Sequence, residues 1–179
     1  MNANATVAKT NAGTPPHQKH TISMRVHNRP GVLSRIAQVF ARRGYNIDSL
    51  VVSRGHHPGF SRMTIACEGD PAVLDQIVKQ LNKLVDTVHA AEYVPAQSVE
   101  RELALFKVSV SPETRTEIFQ IVDVFKGATV DISDATISVE VTGDSEKLDA
   151  FENLMNSYGL VEMVRSGKLV MARGPQRTS

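Results

Sequence analysis

The segment Asn28-Arg29-Pro30-Gly31-Val32-Leu33 holds the residues of this chain that are best suited to binding a small ligand. Gly31 has no side chain to block approach to the backbone, and the first N–H groups of a helix have no partners within that helix. Such amides bind a carboxylate, for example that of an α-amino acid. The residues alone leave a second interpretation open, in which Asn28 caps the helix and Gly31 relaxes a tight turn.

Catalytic and metal-binding chemistry has less support. The sequence contains no G-x-S-x-G motif, no P-loop and no Cys-His pairing. His56-His57 stand in a Gly/Pro loop, but adjacent residues diverge and no carboxylate stands at ligand spacing, which favours a solvated loop over a metal site. Cys67 shares a strand face with Met63 and Ile65, which predicts a core position and not a nucleophile. We therefore expect no catalytic residue and no metal in this chain.

The charge balance and the cysteine count exclude several classes of protein. Twenty Lys and Arg against nineteen Asp and Glu leave a net charge of +1, too little for broad attraction to nucleic acid or to an anionic membrane. One cysteine cannot form an intramolecular disulfide or a Cys-based zinc site. No apolar stretch approaches the roughly 20 residues of a membrane-spanning helix. We expect a cytoplasmic protein with no nucleic-acid and no membrane partner.

Hydrophobic periodicity predicts the elements that position the 28–33 segment. The first half of the chain has the order β-α-β-β-α-β, in which alternating apolar residues mark strands and i, i+3, i+4 spacing marks helices. The predicted elements are a strand over 21–27, a helix over 30–43, strands over 46–53 and 62–67, a helix capped by Asp70 with Pro71 in its first turn, and a strand over 86–94. The segment thus joins the first strand to the first helix.

The same order recurs in the second half, as a repeat of architecture more than of sequence. The predicted elements are a strand over 103–110, a helix opened by Ser111-Pro112 and ended by Gly127, strands over 128–133 and 136–142, a helix capped by Asp144 or Ser145, and strands over 160–164 and 168–172. The fold class is α+β with two ferredoxin-like βαββαβ units. The predicted organisation is a disordered arm at 1–19, a first domain at 20–95, a second at 100–174 and a polar tail at 175–179.

Other proteins of this topology fit the composition poorly. RNA-recognition modules stack bases on aromatic residues of the central strands. Here aromatic residues make up 5% of the chain, and the segments 47–52 and 62–67 contain none. A heavy-metal carrier would need paired cysteines. The composition therefore favours neither of these two functions.

Six segments resemble one known family, the small regulatory subunits of acetolactate synthase (acetohydroxyacid synthase). They are residues 28–50 (NRPGVLSRIAQVFARRGYNIDSL), 61–65 (SRMTI), 80–86 (QLNKLVD), 101–108 (RELALFKV), 141–151 (VTGDSEKLDAF) and 165–174 (RSGKLVMARG). The resemblance covers about residues 20–174. It implies an N-terminal ACT domain that senses an amino acid, followed by a C-terminal ACT-like domain that takes part in dimerisation or in large-subunit contact.

The resemblance also implies what the chain works with. It would be a non-catalytic subunit that activates a thiamine-diphosphate-dependent large subunit, with magnesium and FAD also expected in that catalytic partner and no cofactor in this chain. It would make the enzyme sensitive to feedback inhibition by valine or another branched-chain amino acid. The alternative is a free-standing ACT-type amino-acid sensor that regulates a different enzyme.

In this family the effector lies between the ACT domains of a homodimer. The matching positions here are Asn28, Arg29, Pro30, Gly31, Val32, Leu33, Asn46 and Ile47. The amides near Gly31 would take the carboxylate, Asn28 and Asn46 would offer amide oxygens to the ammonium group, and Val32 and Ile47 would meet the aliphatic side chain. The chain departs from the family in its N-terminal arm and in the loop over residues 54–60, neither of which touches these positions.

Overall fold

The computed structural model describes residues 18–178, so nearly all of the predicted arm lies outside the described residues. The first unit consists of β1 (Gln18–His27), α1 (Val32–Ala41), β2 (Ser49–Arg54), β3 (Phe60–Gly69), α2 (Pro71–Leu81) and β4 (Thr87–Glu92). Its four strands form an antiparallel sheet in the order β2-β3-β1-β4. This is the predicted ferredoxin-like arrangement.

The core of the first unit lies between the sheet and its two helices. Met24 pairs with Met63 and Ile22 with Ile65 across the central strands, and all four side chains are buried. They point to one face because side chains alternate along a strand. Both helices pack their buried side chains against this face. These are Val32, Ile36 and Phe40 of α1 and Leu74, Ile77 and Leu81 of α2.

The second unit repeats the topology. It consists of β5 (Ser98–Ser109), α3 (Arg115–Val124), β6 (Ala128–Ile132), β7 (Thr136–Gly143), α4 (Ser145–Tyr158) and β8 (Leu160–Arg165), followed by β9 (Leu169–Ala172). Its main sheet has the order β6-β7-β5-β8, which matches the first unit position by position. The strand order of the two sheets confirms the predicted α+β fold of two βαββαβ units.

An aromatic cluster fills the second core. Phe151 of α4 meets the rings of Phe106 and Phe125 edge to face, at centroid distances of 4.8 and 5.1 Å. Such pairs are favoured by the quadrupole of the ring. The buried residues of this core form a cluster separate from the first one, so each unit has its own hydrophobic core.

Strand β5 departs from the prediction in length and in partners. The segment between the units is one 3₁₀ turn, Pro95–Gln97, and β5 begins directly after it, at Ser98. Residues 98–101 pair with β9, whereas residues 102–109 pair with β7, and 104–108 also with β8. The β9 segment was predicted as a strand, but alternation alone could not indicate that it pairs with the start of β5. We call the pair formed by residues 98–101 and 169–172 the β5–β9 ribbon.

The face of the first sheet that points away from its helices is covered. Thr21, Ser23 and Thr64 lie on this face and are 7%, 3% and 3% exposed. Gly167, just before β9, packs so closely that a Cβ atom there would lie 3.0 Å from Cγ2 of Val51. The tail also returns to this unit, since Nη2 of Arg62 donates to the carbonyl of Thr178. The two units are therefore in direct contact.

Two boundaries near the candidate site also differ from the prediction. Helix α1 begins at Val32 and not at residue 30, because Gly31 has a φ of 80°, outside the helical region. Strand β2 begins at Ser49 and not at residue 46, so Asn46 and Ile47 precede it. No helix within residues 18–178 is both long enough and apolar enough to cross a membrane.

Candidate functional site

The start of helix α1 carries no side-chain cap. Gly31 is the residue before the helix, and no side chain accepts a hydrogen bond from the first-turn amides. Asn28, the capping candidate, instead donates its backbone N–H to the carbonyl of Gly59 at 2.8 Å. The expectation that the loop over residues 54–60 does not touch this segment is therefore wrong. The interpretation of Asn28 as the helix cap is therefore wrong. The positive end of the α1 dipole faces outward, as an anion site requires.

The backbone of the loop is held in a tight turn. Arg29 N–H donates to the carbonyl of His27 at 3.0 Å, and Val32 N–H donates to the carbonyl of Arg29 at 3.4 Å. The second bond is long for N–H···O, and a charged carboxylate competes well with such a bond. The left-handed φ of Gly31 makes this turn possible, because residues with a Cβ atom rarely adopt it. The glycine thus serves both the turn and access to the amides.

A guanidinium group stands beside this helix start. Arg35 lies one helical turn after Gly31, and its Nη1 atom would be 3.2 Å from a Cβ atom built on Gly31. Asp86, whose side chain is 9% exposed, anchors it with Arg35 Nε at 2.8 Å and Nη2 at 2.6 Å from Oδ2. Arg35 was not among the predicted site residues, although its i+4 spacing from Gly31 puts both residues on one helix face.

The two apolar residues of the segment point to different places. The Val32 side chain is 2% exposed and belongs to the first core, so in this chain it offers a ligand only its backbone. Leu33 is 43% exposed and presents apolar surface beside the helix start. Arg29 and Pro30 are exposed as well. Leu33 is therefore better placed than Val32 to contact an aliphatic side chain.

Asn46 and Ile47 lie at the other end of α1. The helix has ten residues, which at 1.5 Å per residue separate its ends by about 15 Å. Asn46 is exposed and its Nδ2 donates to Oδ1 of Asp48 at 3.1 Å, while Ile47 packs against the edge of the first core. A single chain therefore brings Asn28–Leu33 together but does not bring Asn46 and Ile47 to them.

The remaining reactive side chains include one cysteine, which is buried. Cys67 is 1% exposed, and burial, then the charges of Asp48 and Glu92, raise the pKa of its thiol to about 11. Since the thiolate is the nucleophile, the thiol is unreactive near neutral pH, and the prediction that Cys67 is a core residue is confirmed. Within residues 18–178, no three or more His, Cys, Asp or Glu side chains are grouped so that they could hold a metal ion.

Comparison with known proteins gives a consistent result over both units. Residues 22–89 match the family described as the AHAS small subunit-like ACT domain, and residues 101–174 match the family described as the small subunit of acetolactate synthase. A probable acetolactate synthase small subunit from Archaeoglobus fulgidus is 47% identical over 159 residues, which cover 89% of this chain and 99% of that protein.

Similar proteins from two further organisms extend this comparison. The acetolactate synthase small subunit of Mycolicibacterium smegmatis is 42% identical over 92% of this chain and 95% of its own length. The crystal structure of the acetolactate synthase small subunit from Thermotoga maritima superposes with a TM-score of 0.80 at 41% identity, covering 89% of this chain and 99% of that one. Both units thus have a counterpart in a solved structure.

Proposed function

Since the chain belongs to the family of acetolactate synthase small subunits, we propose that it is the non-catalytic regulatory subunit of that enzyme. In this proposal it binds and activates the thiamine-diphosphate-dependent large subunit. It also makes the enzyme subject to inhibition by valine or another branched-chain amino acid. The observation that carries the proposal is the uncapped start of α1 at Gly31 in a chain of this family.

The proposed effector chemistry uses three kinds of group. The carboxylate binds the amides at the α1 start, where the guanidinium of Arg35 adds positive charge. The ammonium group takes amide oxygens from Asn28 and Asn46. Leu33 offers the exposed apolar surface for the aliphatic side chain, together with Ile47.

Two copies of the chain would complete this site. Strand β2 lies at the edge of the first sheet, where β3 is its only partner among the described strands. The bond from Asn28 N–H to the Gly59 carbonyl holds residues 28–33, which we call the effector loop, beside the β2–β3 turn, at the Arg54 end of β2. Antiparallel pairing of β2 with β2 of a second copy would bring the second copy's residues 46–47 to that end. The two halves of the site would then meet across the dimer.

Inhibition follows from linkage. An effector bound between two ACT domains stabilises one arrangement of the pair, and it can shift the equilibrium only by its difference in affinity between arrangements. If the arrangement that it favours activates the large subunit less, catalysis falls. Tight binding alone would not inhibit.

Reconstitution of the enzyme tests the proposal. The large subunit is assayed for acetolactate formation alone, with this chain, and with this chain plus valine, leucine or isoleucine. We expect activation by the chain and saturable inhibition by at least one of the three amino acids. Turnover of pyruvate by the isolated chain, or no effect on the large subunit together with co-purification of another enzyme, would contradict the proposal and favour the free-standing sensor.

Mixing two defective variants tests the composite site. Gly31→Asp damages the loop half and Asn46→Ala the other half, so each homodimer has two defective sites. A mixed dimer has one site with both substitutions and one with neither. We therefore expect the mixture to recover part of the inhibition that each variant alone has lost. If the mixture behaves as the average of the two variants, the site does not lie across two chains.

A further inference from the structure

We propose that the cavity between the first unit and the C-terminal tail is a binding site for a small molecule that carries a phosphate group. We call it the arginine cavity, because it is lined by Arg25, Arg54, Arg62 and Arg177. Its volume is about 460 Å³. None of residues 28–33 lines it, although the β2–β3 turn that lines it also contacts Asn28. The proposal does not depend on the proposed function.

Within residues 18–178, no carboxylate compensates the positive charge of the arginine cavity. Four guanidinium groups line it together with His56 and His57, and none of its lining residues is an aspartate or a glutamate. Among the described residues, no carboxylate forms an ion pair with any of the four arginines. Like charges that share a half-buried site repel each other, and a bound anion would relieve that repulsion.

Two of these arginines are partly withdrawn from water. The Nε atom of Arg25 is buried and has no hydrogen-bond partner, and its guanidinium lies 5.9 Å from the centre of the Phe60 ring. Burial, and then the charge of Arg25, lower the pKa of Arg62 below its usual range. A buried N–H donor without an acceptor is costly. A ligand that carries negative charge and hydrogen-bond acceptors would therefore be stabilised in the arginine cavity.

A phosphate group meets this demand better than a single carboxylate does. It supplies several acceptor oxygens and close to two negative charges, and guanidinium groups bind it in pairs of parallel hydrogen bonds. The volume exceeds what one inorganic phosphate fills, and Phe60 and Met171 add apolar surface to the lining. The same chemistry would accept free phosphate or the phosphate end of a small ester.

The lining of the arginine cavity comes from the first unit and from the C-terminal tail. Arg25, Arg54 and Arg62 come from β1, β2 and β3, whereas Arg177 comes from the tail. Arg62 also donates to the Thr178 carbonyl, so a ligand on Arg62 would lie directly beside the tail. The ligand would thus stabilise the arrangement in which the tail is packed on the first unit.

Calorimetric titration of the full chain tests the proposal. Inorganic phosphate, pyrophosphate and phenyl phosphate are added at constant ionic strength, with sodium chloride as the balancing salt. We expect saturable binding that is weakened about tenfold by Arg25→Gln and by Arg62→Gln, since each removes a charged hydrogen-bond donor. The exposed pair Arg54→Gln/Arg177→Gln is expected to weaken it by a similar factor without affecting folding. Tighter binding of phenyl phosphate would assign an ester; equal or tighter binding of inorganic phosphate would assign the free ion.

Two control variants locate the binding. Arg42→Gln removes one positive charge from the exposed end of α1, outside the arginine cavity, and should leave phosphate binding unchanged. Gly31→Asp should leave it unchanged as well. Absence of saturable binding to wild type, or equal binding by wild type and the Arg54→Gln/Arg177→Gln variant, would overturn the proposal. Loss of large-subunit binding in the arginine variants with no phosphate binding to wild type would instead assign this surface to a protein contact.

Discussion

The first helix of each unit begins in a different way, although both units have the same strand order. Helix α1 follows a glycine in the left-handed region and has no side-chain cap. Before α3, Ser111 and Thr114 bond to each other's backbone, from Ser111 N–H to Thr114 Oγ1 at 3.0 Å and from Thr114 N–H to Ser111 Oγ at 3.3 Å. The carboxylate of Glu113 stands beside them, 3.3 Å from Ser111 Oγ.

This difference indicates where a ligand site can arise on this fold. The first turn of α3 has no side-chain cap either, but the loop before it uses two hydroxyl groups to satisfy the N–H groups of Ser111 and Thr114. The Glu113 carboxylate beside them disfavours an anion. At α1 no side chain bonds to the first-turn amides, the Val32 N–H makes only a long bond to the Arg29 carbonyl, and the guanidinium of Arg35 stands beside the helix start. The topology is shared, so the loop residues alone make one helix start a candidate site and the other a structural turn.

The largest expected effect comes from placing a negative charge at the open helix start. In the reconstituted enzyme, Gly31→Asp should weaken inhibition by the effector at least 100-fold while activation is retained. The new carboxylate would occupy the anion position beside Arg35, and residue 31 would be strained at a φ of 80°. Inhibition curves measured at increasing valine check this.

Gly159→Asp is the matched control in the second unit. Gly159 ends α4 with a φ of 92°, and a Cβ atom there would make only an ordinary 3.5 Å contact with Ser109. It imposes similar backbone strain at a distance from the effector loop, so inhibition should stay at the wild-type level. Equal loss of inhibition in both variants would mean that strain, and not the anion position, causes the effect.

A second difference between the units is expected in alkaline solution, because the chain has one cysteine and it lies in the first core. The pKa of Cys67 is raised to about 11 in the folded chain, above its unfolded value near 9. The folded state therefore binds the proton more tightly, and the free energy of unfolding should fall between about pH 9 and pH 11. The slope from this group is at most about 1.4 kcal/mol per pH unit.

Denaturant unfolding from pH 8 to pH 11 measures this slope, with Cys67→Ala as the reference. The variant lacks the thiol, and its slope should be shallower because only the tyrosines and other groups common to both proteins still titrate. Parallel curves for the two proteins would contradict the prediction.

The smallest expected effect comes from opening the closed helix start. Ser111→Ala with Thr114→Val removes the two hydroxyl groups that satisfy the loop before α3. The cost should be about 1 kcal/mol of stability, as for the loss of a helix cap, which lowers the melting temperature by about 2–4 °C for a chain of this size. Calorimetry measures the shift. Effector inhibition should not change, and a changed inhibition constant would mean that the second unit takes part in the effector response.

Hydrophobic periodicity predicted nearly every element because each unit buries one face of a sheet against two helices. Met63, Ile65 and Cys67 alternate on β3, and all three are buried as expected. Element boundaries were less predictable, because they depend on single backbone angles. Because of the φ of Gly31, α1 begins at Val32. Because Asn46 has no partner residue on β3, β2 begins only at Ser49.

The features that sequence patterns missed are pairings between residues distant along the chain. Arg35 is placed by Asp86, 51 residues away, and Arg62 contacts Thr178, 116 residues away. The arginine cavity combines residues from three strands and the tail, so no local residue spacing predicts it. The effector loop, in contrast, is one continuous segment, so residue types alone predict the chemistry that we propose for it.

The continuity of β5 has a mechanical consequence. Its twelve residues span about 40 Å. At one end β5 is hydrogen-bonded to β9 in the β5–β9 ribbon, and at the other end it is hydrogen-bonded to β7 and β8 in the main sheet of the second unit. No hinge residue separates the two ends, since the pairing changes partners between Arg101 and Glu102 without a break in the strand. β5 thus joins the two parts as a continuous hydrogen-bonded strand and not as a flexible linker, and we expect a tilt of the ribbon to move the second unit with it.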